Sequence, residues 1–332
     1  MFMPIASFAP PLAKRWPGAP SAIPNPLLRR PAVPRWERVE PLDQGNGFQG
    51  MGRSHTFPFR EWRDSDEYRT VFFDEGEGHP IVFVHGLGGN ATHFEFLLSD
   101  LVRTHRVVGL DLVGCGWTEK PDRPYSVNLL KDHLLSFLDR HRIGRATLVG
   151  HSLGGAVCMA AALERPGQFE SLALLCAAGV APLPKWMRAA APLFLRRSVL
   201  LPTLGLGADF IVNNVFVDRA DDNPHVRWFR DSAMRDGPGF PNLRAFARVC
   251  ETLCRDVVSG DYSDRLQSLH LPVLGIWGDA DKLTCRSSVM HNLARIERVR
   301  TVVLRRCGHM PMIERPRETL FHLRRLLDTP PA

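Results

Sequence analysis

From Tyr68 onward the apolar positions fall into short dense runs separated by longer stretches with helical spacing. TVFFD, IVFVHG, RVVGLD, ATLVG and LALLCA come first, and VLGIWG and TVVLR follow after a gap. These runs are apolar at nearly every position rather than at every second one. That is the pattern of strands covered on both faces. Between them, residues 93–102, 126–142, 153–164, 284–297 and 316–328 read as helices. The alternation predicts an α/β protein, a mostly parallel sheet with helices on both sides. In such sheets ligands bind beyond the carboxyl ends of the strands. The residues just after each run are therefore the ones to weigh.

The gap divides the chain. About 90 residues separate LLCAAG from VLGIWG, and they hold Pro182, Pro184, Pro192, Pro202 and helical runs such as NLRAFARVCETLCRDVV. An ordinary connection needs ~2–6 residues. The segment is expected to be a unit of its own, a helical cap over 181–263, inserted between two parts of the core at 56–180 and 264–332. Residues 1–55 are a different kind of sequence. Residues 1–41 contain ten prolines and no acidic residue before Glu37. That density of proline blocks helix and sheet alike, so the segment is expected to be extended and largely disordered. It lacks the continuous apolar core of ~7–15 residues of a secretory signal. No apolar run reaches the ~18 residues of a membrane-spanning helix.

Charge changes the picture little. The net charge is +7, but residues 1–60 hold eight Lys/Arg against three Asp/Glu, so +5 of it lies in the tail. The body is close to neutral, and no nucleic-acid partner is expected. Contact with a membrane surface through the basic arm or the cap stays open. The seven cysteines form no CxxC and no metal-ligand spacing. They are expected as buried free thiols, which fits a reducing compartment and a cytoplasmic location.

The chemistry enters at GHSLGG. Gly150, Ser152 and Gly154 make G-x-S-x-G between the strand ATLVG and the helix AVCMAAALE. A serine on such a strand–turn–helix corner has strained backbone angles and projects its hydroxyl above the sheet. A hydroxyl near its free pKa is a poor nucleophile and needs a base. Of the thirteen histidines, His309 in CGHMPMIERP follows the last strand and lies at the carboxyl end of the sheet. His105, His141, His270, His291 and His322 are expected in solvent, His151 in a structural role, and His85 ordering the loop after its strand. The base needs an orienting carboxylate. Asp279 and Asp281 follow VLGIWG, whereas no acid follows LALLCAAG. Asp281 is the expected partner and Asp279 an ordinary loop acid, so that the order is Ser, Asp, His. For the oxyanion, the backbone N–H of Leu153 is one expected donor. The glycine-rich HGLGGN offers the second, the N–H of Leu87. HGLGGN lacks both the Lys-Ser/Thr ending of a P-loop and G-x-G-x-x-G spacing, which argues against a nucleotide site.

HGLGG, DLVGCGWTEKP, GHSLGG, GDADKL and GHMPMIERP, in this order, resemble the α/β-hydrolase superfamily over about residues 68–328. The resemblance implies an eight-stranded sheet, a Ser-His-Asp triad and an inserted cap. No cofactor and no metal are expected. Gly278 and Asp281 match the family's G-x-x-D. Val113 and Thr118 depart from its more frequent Pro and Ser. His151 and HGLGG look like esterases and lipases, whereas carbon–carbon hydrolases of ring-cleavage products often carry Asn before the serine. The expected activity is hydrolysis of a carboxylic ester or related acyl compound through an acyl-enzyme. Carbon–carbon or amide cleavage by the same residues is the alternative, and a non-catalytic binding protein on the same fold a third reading. The expected partner is a small acyl substrate, with Leu193, Phe194, Leu200, Leu204, Leu206 and Phe210 of the cap as candidates to line an acyl pocket. Natural substrate, pathway and oligomeric state are not legible in the sequence.

Overall fold

The computed structural model describes residues 60–62, 68–183, 185–196, 198–199, 208–235, 243–259 and 262–328. The expectations for residues 1–55 lie outside the described residues. Eight strands form one sheet: β1 (Arg60–Trp62), β2 (Thr70–Glu75), β3 (Pro80–Val84), β4 (Arg106–Leu110), β5 (Ala146–His151), β6 (Phe169–Leu175), β7 (Val273–Gly278) and β8 (Val299–Leu304). Their spatial order is β1-β2-β4-β3-β5-β6-β7-β8. The β1–β2 and β2–β4 pairs are antiparallel, and the other five are parallel. Each predicted apolar run is a strand. The added strand, β1, has the sequence REW and carries no apolar run to betray it.

The dense runs are explained by what covers them. Val82, Val84, Leu148 and Leu172 point into one core, built with α2 (Val127–Arg140) and α3 (Leu153–Glu164). Their chain neighbours Ile81, Phe83, Val149 and Ala173 point into the other, built with α1 (Glu95–Leu101) and α10 (Pro316–Leu327). The strand period of two thus divides each run between two apolar layers. Helix α2 starts where Ser126 accepts from the Leu129 N–H at 3.1 Å, relieving one unpaired donor of the first turn.

Between β6 and β7 the chain forms α4 (Lys185–Phe194), α5 (Ala208–Val215), α6 (Pro224–Arg235) and α7 (Leu243–Ser259). Val212, Phe216, Val226 and Phe229 of this insert join the α1–α10 core, and Val249 and Leu253 join the α2–α3 core. After β7 come α8 (Arg286–Leu293) and, after β8, the short turn α9 (Pro311–Glu314). No helix among the described residues is long and apolar enough to cross a membrane.

Three of the five histidines expected in solvent, His105, His141 and His322, are half-buried. The His141 ring lies 4.7 Å from Phe72 and 4.3 Å from Phe137, and its Nε2 is shielded from water. The chain turns at the end of α2 and lays the ring back over the sheet. His322 likewise has a shielded Nδ1, beside Phe321. His270 and His291 are exposed.

Candidate active site

β5 ends at His151, and Ser152 turns the chain into α3 with φ 50° and ψ −118°. A non-glycine residue held there costs ~1–3 kcal/mol and persists because its surroundings fix it. The Ser152 N–H donates to Leu175 O at 3.0 Å, and Ser152 O accepts from Gly155 N and Ala178 N, each at 2.9 Å. The corner closes only on glycine: a Cβ on Gly154 would lie 2.1 Å from Val84 O, and one on Gly150 2.6 Å from Gly154 O. Ser152 itself is half-buried at the top of the turn. Leu153 is the first residue of α3, so its N–H is among the donors a helix start leaves without an intrahelical acceptor.

The loop after β3 comes up against this corner. A Cβ on Gly86 would lie 3.0 Å from the Ser152 Cβ. The loop folds back on itself through Gly89 N–H to Gly86 O at 3.0 Å, with Leu87 inside the turn. His85 orders it. Its Nδ1–H donates to Gly86 O at 2.8 Å, and its Nε2 accepts from Leu112 N–H at 3.0 Å. Burial pushes the His85 pKa down to about 4, which keeps the ring neutral and suits both bonds. From the insert, Phe246 lies across Gly88, where a Cβ would meet its ring at 2.4 Å.

Asp281 and His309 meet beyond the ends of β7 and β8. His309 Nδ1–H faces both carboxylate oxygens at 3.1 Å, and the two side chains are 1% and 7% exposed. The Leu283 N–H donates to Asp281 Oδ1 at 2.9 Å and the Thr284 hydroxyl to Oδ2 at 2.7 Å. Burial raises the Asp281 pKa, but the His309 contact and these two donors outweigh it, and the net effect is below the ordinary aspartate value. Asp279 takes a different place. Its Oδ1 accepts from the Cys307 N–H at 3.2 Å and so braces the loop that leads to His309.

Three residues hold the His309 loop that the sequence pattern did not single out for it. His151 donates from Nε2 to His309 O at 2.9 Å, its ring centroid 5.0 Å from that of His309. Burial, with the His309 ring beside it, holds the His151 pKa far below the ordinary imidazole value. Val215, at the end of α5, accepts from the His309 N–H at 2.7 Å. Glu314, 2% exposed, takes three backbone N–H groups: Val217 at 2.6 Å, Asp218 at 2.7 Å, and Gly308. The only hint in the sequence was an acid five residues beyond His309, which spacing alone does not distinguish from a surface glutamate.

Ser152 therefore sits on the corner after β5, against the Gly86 loop and next in the chain to His151, which in turn bonds the backbone of His309. Among the described residues no hydrogen bond joins Ser152 to His309. Such contacts often tighten only when substrate is bound. Cys176, Asp281 and His309 bring polar atoms within 4.8 Å of one another. Burial holds the Cys176 thiol protonated, with Asp281 adding to the effect. A thiol in that state is a poor metal ligand, and the carboxylate is already engaged. Of the six residues proposed to line an acyl pocket, Leu193 is the one whose side chain is described, and it is 56% exposed. A surface-facing Leu193 does not serve as pocket wall in this arrangement.

Residues 81–322 match the alpha/beta hydrolase family. The chain is similar to an uncharacterised protein of Mycobacterium tuberculosis, 31% identical over 82% of both chains. It is also similar to a 2-hydroxy-6-oxo-6-(2'-aminophenyl)hexa-2,4-dienoic acid hydrolase of Metapseudomonas resinovorans, 25% identical over 78% of this chain and 89% of that one. Among solved structures, a bacterial membrane phospholipase A superposes with a TM-score of 0.67 at 26% identity, over 82% of this chain and 86% of the other. With its eight-stranded, mostly parallel sheet and flanking helices, the chain is a hydrolase and belongs to the alpha/beta hydrolase family.

Proposed function

We propose that the protein is a serine hydrolase that cleaves a carboxylic ester or a related acyl compound. What carries this reading is the buried Asp281–His309 pair, hydrogen-bonded at 3.1 Å, together with a serine held at φ 50° on a glycine corner whose chain neighbour His151 bonds the His309 carbonyl. In the reaction, Ser152 Oγ attacks the acyl carbon while His309 takes the hydroxyl proton. The carbonyl oxygen becomes an oxyanion facing the N–H groups of Leu87 and Leu153, each such donor being worth ~2.7–4 kcal/mol in the transition state. The tetrahedral centre collapses, His309 passes its proton to the leaving oxygen, and the acyl group stays on Ser152. Water then repeats the sequence: its proton goes to His309, its oxygen to the acyl carbon, and the proton returns to Ser152 as the acid leaves. Asp281 holds the imidazole tautomer and offsets the charge of the imidazolium. The insert acts as a cap, with Phe246 against the Gly88 loop forming part of the wall around the acyl group.

A second reading keeps these residues and cleaves a carbon–carbon bond beside a ketone. The similarity to the dienoic acid hydrolase favours it. Amide cleavage is the remaining variant of the same chemistry.

The test is one panel: nitrophenyl esters from acetate to hexanoate beside a vinylogous diketone, with fluorophosphonate labelling of wild type and Ser152→Ala. The ester reading expects kcat/KM to rise with chain length, about fourfold per methylene at ~0.8 kcal/mol each, until the pocket is full. Ser152→Ala is expected to lose label and to fall on the order of 10⁶-fold in kcat. Turnover of the diketone above every ester selects the second reading. A folded Ser152→Ala protein keeping more than a few per cent of turnover rules out both.

A further inference from the structure

We propose that Thr284 is a positioning residue for the Asp281–His309 pair, its hydroxyl aimed at the carboxylate by the indole N–H of Trp277. The proposal rests on the triad reading above. Trp277 Nε1 lies 3.0 Å from Thr284 Oγ1, and Thr284 Oγ1 lies 2.7 Å from Asp281 Oδ2. The direction of this chain is settled by chemistry. An indole nitrogen only donates, and a hydroxyl carries one proton. The Thr284 oxygen must accept from Trp277, so its single proton is left for Asp281. A hydroxyl that would otherwise rotate freely is thereby fixed as a donor.

The anchor is rigid. Trp277 is fully buried near the end of β7, and its backbone is paired with Val303 of β8. The carboxylate is then held from two sides of its own loop, Oδ1 by the Leu283 N–H at 2.9 Å and Oδ2 by Thr284, while both oxygens face His309 Nδ1. Such bracing keeps the carboxylate plane toward the ring through the cycle in which His309 gains and loses a proton. Asp279, two residues earlier, has no such donor pair and turns instead to the Cys307 amide.

Thr284 touches neither serine nor substrate in this scheme, so its loss should act on turnover and not on binding. It should also act on the titration of the pair. A carboxylate stripped of a donor holds its share of the proton more tightly, which moves the acid limb of activity upward. The contacts of the other ionisable groups around the pair do not involve Thr284. His151 bonds His309 O, and the Cys176 thiol stays protonated. Asp279 and Glu314 bond backbone amides of the His309 loop, and the Lys282 ammonium lies on Asn213 O.

The experiment compares Thr284→Val, Thr284→Ala and Thr284→Ser in the full chain with the best ester of the panel. Circular dichroism and thermal melting identify the folded variants, and Asp281→Asn is run in parallel. Thr284→Val is expected to lose about tenfold in kcat with KM unchanged, and its acid limb to rise by about 0.5–1 pH unit. Thr284→Ala, which cannot overpack, carries the same expectation if the valine variant misfolds. Thr284→Ser keeps the hydroxyl and is expected to stay within about twofold of wild type. A folded Val or Ala variant with wild-type kcat and an unmoved acid limb overturns the proposal, as does a serine variant as impaired as the alanine one. If Asp281→Asn itself keeps full turnover, the triad reading fails. If it is inactive while the Thr284 variants are normal, only the positioning role fails.

Discussion

Asp279 and Asp281 are separated by one residue, yet their oxygens find different partners. Asp281 faces an imidazole, a hydroxyl and one amide, whereas Asp279 faces the Cys307 amide. The sequence could name both as candidates because both follow β7. It favoured Asp281 over Asp279 as the orienting acid, but could not specify the contacts of either one, because side-chain direction in a loop is set by what the neighbouring strand end presents. Asp281→Asn is expected to cost roughly 10⁴ in kcat, since an amide stabilises neither the required tautomer nor the imidazolium. Asp279→Asn is expected to stay within about tenfold, since an amide oxygen can still accept from Cys307. Steady-state rates of the two variants decide, and the reverse order would exchange the two assignments. The glycines were more legible than the acids. Gly154 is recognisable in GHSLGG because a corner this tight brings Val84 O to where its Cβ would be.

The strands could be read from their runs because two apolar layers demand apolar residues at every position. The insert could be read only as helical and long. One of its links to the candidate active site is Glu314, which ties Gly308, next to His309, to Val217 and Asp218 just after α5. The Arg315–Asp218 ion pair at 2.7 Å fastens the same two segments. Glu314→Gln replaces an acceptor oxygen by an NH₂ group and leaves at least one backbone N–H facing a donor. A buried unpaired donor costs ~1–3 kcal/mol. For a core of this size that lowers Tm by about 2–10 °C. Turnover should fall as well, because the His309 loop loses its brace. Differential scanning calorimetry checks the first expectation and kcat the second. A variant that melts with wild type would mean that the carboxylate is not the clamp.

For the whole molecule, buried ionisable groups make stability depend on pH in a definite direction. Burial lowers the pKa of His85 to about 4, of His93 to about 3 and of His133 to about 4. Each binds a proton below ~6.5 in the unfolded chain but stays neutral in the folded one. Stability contributed by the neutral rings is present above that value and is lost as pH falls toward 4. Asp111 acts against this trend. Burial raises its pKa to about 6, partly offset by its bonds to Trp117 N and Ala91 N, so folding takes up one proton between about 6 and 3.8. Three histidines less one aspartate leaves two protons more on the unfolded chain. At ~1.4 kcal/mol per proton and pH unit, folding weakens by about 3 kcal/mol from pH 6 to pH 5. His151 and His225, whose pKa values burial also lowers, steepen the slope. Urea unfolding at the two pH values measures it, and equal midpoints and slopes would show that these rings are not neutral in the folded protein.

What the sequence by itself determined is local in origin. Strand runs, the long insert and the glycine corner at Ser152 follow from periodicity, spacing and backbone sterics, and the same reading leads to the expected order Ser152, Asp281, His309. So does the expectation that residues after strand ends carry the chemistry. Tertiary structure decided which contacts those residues make. It placed the His151 donor on the His309 carbonyl, brought Glu314 beneath the His309 loop and laid Phe246 over Gly88. It also aligned Trp277, Thr284 and Asp281. The physical reason is that a hydrogen bond is specified by the position and direction of both partners. Where those partners are far apart in the chain, neither can be read from one sequence alone.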